Sequence, residues 1–391
     1  MAYVEDRIVH DADSHIMETP DWLDPYLDSR IRERMPRLAL SAVRPGEHKL
    51  IDDARARHAD PDYRAADAEQ IMLRKNWSAT GSFLKEDRPR ALDLLGFATQ
   101  LVFNTFLNKY LNELEHRDDV EVAYGVAAAH NRAMLDFCSV DSRLLPSCYV
   151  PLADFERSAR AAGEAIDAGA KALLVASACP ARHSPSHVGL FPVWEQAAEA
   201  GIPVLFHVGG GGTLVDPMYF ENGLPPIPDF HGGEENFRSV DYMAIPNPPM
   251  QTLATLIFDG ILDRWPNLKF GVIEQGASWL PGWMRSMDSA VAAFAKNEER
   301  LRNLSALPSQ IVRRQVRVTP YPAEDVGWIV SQTGPEVCLF SSDYPHVEGG
   351  RNPIRRFEAT LTNLDDPTRN HFYRTNFEDL MGRAMPKPAA A

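Results

Sequence analysis

The chain has 391 residues, 45% of them hydrophobic, which is enough to bury a large core in one big domain or two ordinary ones. A formal net charge of -14 with no Lys/Arg-rich run argues against a nucleic acid or an anionic membrane as partner. The start, MAYVEDRIVHDAD, has no basic n-region or long apolar h-region, and no run reaches the roughly 18 apolar residues of a membrane span, so a cytoplasmic protein is expected. Cys138, Cys148, Cys179 and Cys338 show no CxxC or zinc-finger spacing and read as reduced thiols.

Short β-rich runs recur at 7–12, 98–103, 144–150, 171–176, 202–206, 268–273, 315–319 and 336–341. Between most of them lie helical patterns: Val120–Phe137, Phe155–Ala168, Pro192–Ala200, Met250–Ile261, Trp279–Ala295 and Ala323–Gln332. Strands alternating with helices imply parallel βαβ units, and near-continuous apolar strands imply cover on both faces. About eight such units predict an α/β protein with a (β/α)8 TIM-like barrel, spanning residues 1–385 as a single metal-dependent domain. A doubly wound open sheet is the alternative, and no GxGxxG follows the first strand to favour it.

Two stretches exceed a bare barrel. Residues 19–95 are polar, Arg/Asp-rich and punctuated by proline; residues 208–248 carry GGGG, PPIPDF, HGGEE and PNPP. Both follow the carboxyl end of a strand, the face where barrels build their sites, so they are expected as long insertions: a cap or lid and an active-site loop. Residues 386–391, PKPAAA, are expected to be a disordered tail.

The strand ends carry the chemistry. The first ends IVHDADSH, where alternation puts Asp11, Asp13 and His15 on one face. The fifth ends at His207, the sixth at Glu274 and the eighth at Asp343, each just beyond apolar residues. A buried charge is costly unless it is paired or ligates a metal. Taken alone, His207 reads as a hydrogen-bonded structural histidine, Asp13 as a helix cap and Asp343 as an Asx turn before Pro345. Taken together, at the ends of different strands, they read as a carboxylate–imidazole cage suited to Zn, Mn or Fe. GGGG after His207 lacks the GK[ST] of a phosphate loop and reads as close backbone approach or a hinge. His183 and His187 read as surface-loop residues.

At DADSHIMETPDWL, NRAMLDFCSVDSRLLPSCYVPLAD, GLFPVWEQAAEAGIPVLFHVG, ILDRWPNLKFGVIEQGASWLPGWMRSMD and LFSSDYPHVEG the chain resembles the amidohydrolase-related (amidohydrolase 2) family. That family includes aminocarboxymuconate semialdehyde decarboxylase, γ-resorcylate decarboxylase and various hydrolases. The resemblance implies one divalent metal on Asp13, His15, His207 and Asp343, with zinc as first choice, Mn or Fe as alternatives, and room for a second metal. It also implies a homodimer or larger homo-oligomer. It departs at Glu274, where the decarboxylases carry a histidine, and this favours hydrolysis.

The expected activity is therefore that of a metal-dependent hydrolase acting by activated water on a small carbonyl substrate: an amide, ester, lactone or activated C–C bond. Asp343 or Glu274 would be the general base, and His346 a third catalytic group. Decarboxylation of a small aromatic or unsaturated acid is the alternative. A dinuclear oxidative enzyme and a non-catalytic partner subunit follow. Asn104 and Thr319, at the ends of the second and seventh strands, are expected to hydrogen-bond the substrate, and Trp77 and Phe83 to wall its pocket.

Overall fold

The computed structural model describes residues 2–36, 47–225 and 238–387. Most of PPIPDF, all of HGGEE and the end of the PKPAAA tail lie outside the described residues, as do parts of both expected insertions. Seven strands, β1 (His10–Ile16), β2 (Thr99–Asn104), β3 (Leu144–Tyr149), β4 (Ala172–Leu174), β5 (Val204–His207), β6 (Phe270–Ile273) and β7 (Val316–Val318), form one sheet in that order. Every pairing is parallel. Every strand residue is buried, as expected when both faces of a sheet are covered.

The last apolar run, expected as an eighth strand, forms no strand of its own. It nevertheless touches both edges of the sheet. Val318 N–H donates to the Val337 carbonyl at 2.8 Å and Leu339 N–H to the Val318 carbonyl at 2.9 Å. On the other side Ala12 N–H donates to the Phe340 carbonyl at 3.1 Å, Asp343 N–H to the Asp13 carbonyl at 3.0 Å and His15 N–H to the Tyr344 carbonyl at 2.7 Å. The sheet is thus a curled, all-parallel one whose first and last strands share a neighbour, an arrangement consistent with a TIM-like barrel.

Helices lie between the strands where sequence period and caps put them. Asp119 accepts from Val122 N–H at the start of Val120–Cys138, and Asp154 from Arg157 N–H at the start of Phe155–Asp167. Phe191–Ala200 stops at Gly201, whose φ of 68° suits a residue without Cβ and turns the chain into β5. The single pattern expected over Met250–Ile261 is divided at Asp259 and Gly260, giving Asn247–Phe258 and Ile261–Arg264.

Residues 19–95 are not a structureless loop over their described part. Helices Ser29–Arg34, Glu47–Ala59, Pro61–Ala65, Asp67–Gln70 and Arg88–Leu95 follow one another. Their polar composition hid them, because they are short and fixed by local caps and charge pairs. Asp60 accepts from Asp62 N–H at 2.9 Å, Arg64 grips Asp87 through two bonds of 2.8 and 2.9 Å, and Arg74 pairs with buried Asp67 at 2.7 Å. Ile51, Ala54, Trp77 and Phe83 pack with Met17, just past the end of β1.

Glu115 closes the helix Leu107–Glu115 inside the fold, where the Tyr149 hydroxyl donates to its Oε2 at 2.7 Å. Burial pushes its pKa up to about 7 from an ordinary 4.5. The folded state therefore keeps a proton that the unfolded chain releases, and stability is lost as pH rises through the folded value. Between about pH 5 and pH 8 the wild type should lose ~1–3 kcal/mol relative to Glu115→Gln, which stays neutral. Urea unfolding at both pH values checks this; equal pH slopes for the two proteins would refute it.

Candidate metal centre

The centre is built from the ends of β1, β5 and β6 and from the segment after β7. The β1 register slips between Asp11 and Ser14, an irregularity of the kind that re-aims side chains beside functional sites. His15 Nδ1–H donates to the Asn104 carbonyl at 2.9 Å, so its Nε2 carries the lone pair. That nitrogen faces Asp13 Oδ1 at 3.1 Å, Asp343 Oδ1 at 3.5 Å and Glu274 Oε2 at 3.8 Å. His207 repeats the device: Nδ1–H donates to the Val208 carbonyl at 3.0 Å, and Nε2 lies 3.3 Å from Asp13 Oδ1 and 3.4 Å from Glu274 Oε2.

These separations test the fit to a cation. Tetrahedral ligands at ~2.0–2.2 Å from a metal lie ~3.3–3.6 Å from one another. The donor atoms of Asp13, His15, His207 and Glu274, 3.1 to 3.8 Å apart in the pairs above, bracket that spacing, and all four residues are buried. Each histidine is fixed by a carbonyl on its far nitrogen, as metal-ligating imidazoles are. Asp13 Oδ2, His15 Nε2, His346 Nδ1 and both Asp343 oxygens are buried without a hydrogen-bond partner. Burial lowers the pKa of His15 below its ordinary range, which keeps the imidazole neutral and able to ligate. Burial pushes Asp343 up to about 7, a mark of anionic charge crowded without water. The donor set fits a divalent first-row metal.

Neighbouring groups hold this cage. Thr319 Oγ1 accepts from Glu274 N–H at 2.7 Å, and the Tyr321 hydroxyl donates to the Glu274 carbonyl at 2.9 Å. Asp11 does not join the centre. It accepts from Ser342 N–H (2.8 Å), Ser342 Oγ (2.7 Å) and Gln100 Nε2 (2.9 Å), which ties the Asp343 segment to β1 and β2. Gly349 passes so close that a Cβ would lie 2.0 Å from the Ser342 carbonyl oxygen. Arg88, fully buried, donates from Nη1 to the His15 carbonyl at 2.9 Å. Asn108 Nδ2 donates to the Val208 carbonyl, the same oxygen that orients His207.

The structure brings Asp13, His15, His207, Glu274, Asp343 and His346 together. Thr319 lines the same small opening, with Glu348 and Tyr321, and supports Glu274. Asn104 touches the centre through its carbonyl, while its buried side-chain amide has no hydrogen-bond partner. Trp77 and Phe83 belong to the small apolar cluster beside Met17, and Trp77 stacks on Phe106 at 5.6 Å. His183 and His187 pack on Phe155. Sequence reasoning missed Arg88, Thr105, Asn108 and Tyr321. The polar pair Asn104–Thr105, directly beyond an apolar strand, was the one available signal. It also missed Lys75, whose Nζ donates to the Gly350 carbonyl at 2.7 Å and whose pKa burial pulls down to about 8.

The opening at the centre, lined by Asp13, Glu274, Thr319 and Asp343, has a volume of only about 20 Å³, room for a water molecule. A cavity of about 350 Å³ shares Tyr321 with it and is lined by Tyr242, Met243, Met250, Gln275 and Trp279. That volume lies in the small-molecule range, and Gln275 Nε2 is buried there without a hydrogen-bond partner.

Among known proteins, the family described as amidohydrolase matches residues 11–382. No protein of curated function matches the sequence. Among solved structures, an amidohydrolase from Mycobacterium avium subsp. paratuberculosis K-10 aligns with TM-score 0.74 at 22% identity, over 97% of this chain and 100% of its own. A 5-carboxyvanillate decarboxylase from Novosphingobium aromaticivorans, holding manganese and a nitrobenzoic acid, aligns with TM-score 0.64 at 18% identity over 96% and 97%. A dihydroxybenzoic acid decarboxylase from Polaromonas sp. JS666, with manganese and 2-nitroresorcinol, aligns with TM-score 0.60 at 15% identity over 96% and 97%. At these identities the likeness shows the fold.

A cation held by the native centre must stabilise it by mass action. At a hundredfold excess over Kd the gain is about 2.7 kcal/mol, so chelation should lower the unfolding midpoint and added Mn²⁺ or Zn²⁺ should restore it. His207→Ala should respond to neither. A wild-type midpoint indifferent to chelator, or a His207→Ala protein with unchanged metal content, would count against the centre.

Proposed function

The chain belongs to the amidohydrolase family, and we propose that it is a metal-dependent hydrolase of a small carbonyl substrate, with Asp343 as the proton acceptor. The single observation that carries this reading is Glu274. It stands where a proton-shuttling histidine would suit decarboxylation, and its Oε2 lies 3.4 Å from His207 Nε2, as a fourth donor would. Asp13, His15, His207 and Glu274 would hold the cation. When bound, it supplies a Lewis acid that polarises a carbonyl and lowers the pKa of water towards 7. Asp343, with two buried oxygens lacking hydrogen-bond partners, takes the proton from the attacking water. His346 Nδ1 lies 2.8 Å from one of those oxygens.

The substrate's apolar body fits the 350 Å³ cavity beside Tyr321. We read the bridging run 337–344 as the eighth stave of a (β/α)8 barrel, and residues 19–95 and 208–248 as insertions over its carboxyl-terminal mouth. A single domain acting on a small molecule, in a homo-oligomer, remains our reading of its organisation.

Decarboxylation is the second reading, favoured by the decarboxylases among the structures of the same fold. It needs a proton delivered to the carbon that loses CO2, which a carboxyl group provides only when its pKa is raised. A panel of esters, lactones, amides and hydroxybenzoic acids separates the two. Asp343→Asn should lower hydrolysis by about 10² or more while the cation held by the other four donors stays bound. Glu274→Gln should instead weaken cation binding. CO2 release by the wild type, without hydrolysis of any of the panel, would replace the hydrolase reading.

A further inference from the structure

The cavity beside Tyr321 is walled by rings and thioethers. Tyr242, Met243, Pro246, Met250, Trp279 and Tyr321 line its volume of about 350 Å³. The Tyr242 and Tyr321 rings lie 5.1 Å apart, centroid to centroid, tilted by 35°. Such walls suit a flat or broad apolar group, because aromatic faces stack and methionine adapts its shape to what it meets. Trp279 and Tyr321 have already spent their polar hydrogens. The indole Nε1–H donates to the Gly276 carbonyl at 2.8 Å, and the Tyr321 hydroxyl to the Glu274 carbonyl at 2.9 Å.

The same walls leave an anion unsupported. A helix start ordinarily offers free N–H groups and the positive end of a dipole. The helix Asn247–Phe258 starts at this cavity, but its first turn is written with prolines. Pro246, Pro248 and Pro249 have no N–H, and Met250 N–H donates to the Pro246 carbonyl at 3.0 Å. Among the described lining residues there is no Lys, Arg or His, and the one charged group is Glu324. Its carboxylate accepts from Ala277 N–H at 2.9 Å, Ser278 N–H at 2.7 Å and Tyr321 N–H at 2.7 Å, which fixes a negative charge in the wall. Burial, and then the Glu324 charge, raise the Tyr242 hydroxyl above its ordinary pKa. Asn247, Gln275 and Ser278 add only neutral polar groups.

Resting on the reading of this cavity as the place of the substrate's body, we propose that it selects an uncharged aromatic or broad aliphatic group and rejects an anionic one. A substrate carrying negative charge away from its reacting carbonyl would lose hydration there and gain no counter-charge. The PNPP run is then a specificity element: it starts a helix at the cavity wall while withholding the N–H groups that an oxyanion would use.

The test is a pair of ring probes that differ in charge, 4-nitroanisole and 4-nitrobenzenesulfonate, titrated into the full chain supplied with MnCl₂. Nitroaromatic rings quench tryptophan fluorescence, so binding beside Trp279 is read directly. The neutral probe should bind at least about tenfold more tightly than the sulfonate. Trp279→Phe should lose most of the quenching, whereas Trp328→Phe, in the helix Val326–Thr333, should keep it. Met250→Arg, which puts a cation in the wall, should narrow the gap by drawing in the sulfonate. Equal affinity for the two probes, tighter binding of the sulfonate, or binding of neither by the wild type would overturn the selection, so a variant that fails to fold does not shelter it. Quenching that survives Trp279→Phe would put the ring elsewhere and overturn it too. Hydrolysis is read separately: a protein that prefers the neutral ring yet cleaves no ester, lactone or amide keeps this cavity and loses the hydrolase reading.

Discussion

Three carboxylates and three imidazoles share one buried place, and the rest of the structure answers to that fact. Asp13, Glu274 and Asp343 are buried close together, and burial lowers the pKa of His15 and His346 beside them, which opposes their taking protons. Arg88 is close in the fold but spends its contact on the His15 carbonyl, and Lys75 spends its contact on the Gly350 carbonyl. The Lys75 charge softens the crowding at Asp343 from outside.

Holding such a place together requires parts of the chain far apart in sequence. Asp11 reaches Ser342, and Tyr344 reaches back to the Thr80 carbonyl with its hydroxyl at 2.6 Å. Asn76 N–H donates to the Pro345 carbonyl at 2.9 Å. The run after β7 is thus gripped from one side by β1 and from the other by residues 75–88. This explains why a polar stretch, which adds nothing to the sheet, carries a fully buried arginine. Arg88 is a strut whose place depends on the end of β1.

Much of this was legible. Period and apolar runs placed all seven strands within a few residues, because a parallel sheet covered on both faces writes itself as continuous Val, Leu, Ile and Phe. The charged strand ends were legible for the opposite reason: Asp13, His15, His207, Glu274 and Asp343 interrupt such runs where burial would otherwise forbid them. The helices of 19–95 were not legible, since capping by Asp28 and Asp60 and pairing of Arg64 with Asp87 leave no apolar stripe. Nor was the orientation of the histidines. It depends on the carbonyls of Asn104 and Val208 and on one threonine hydroxyl, and a backbone carbonyl has no letter in the sequence.

The same logic accounts for the backbone at the two carboxylates that sequence placed but could not shape. Glu274 and Asp343 have φ of 54° and 52°, in the left-handed region that side chains other than glycine rarely enter. Such a conformation costs on the order of 1 kcal/mol or more and persists only when its surroundings over-determine it. They do so here. Glu274 is fixed through N–H by Thr319 and through C=O by Tyr321; Asp343 is fixed through N–H by the Asp13 carbonyl. In each case the chain leaves its extended course within one residue, and a side chain that alternation alone would place is turned by the backbone itself. Two chain segments turning toward His15 Nε2 is the geometry of a cage rather than of a packed core, and it places the strain of the backbone at the groups that must face one another.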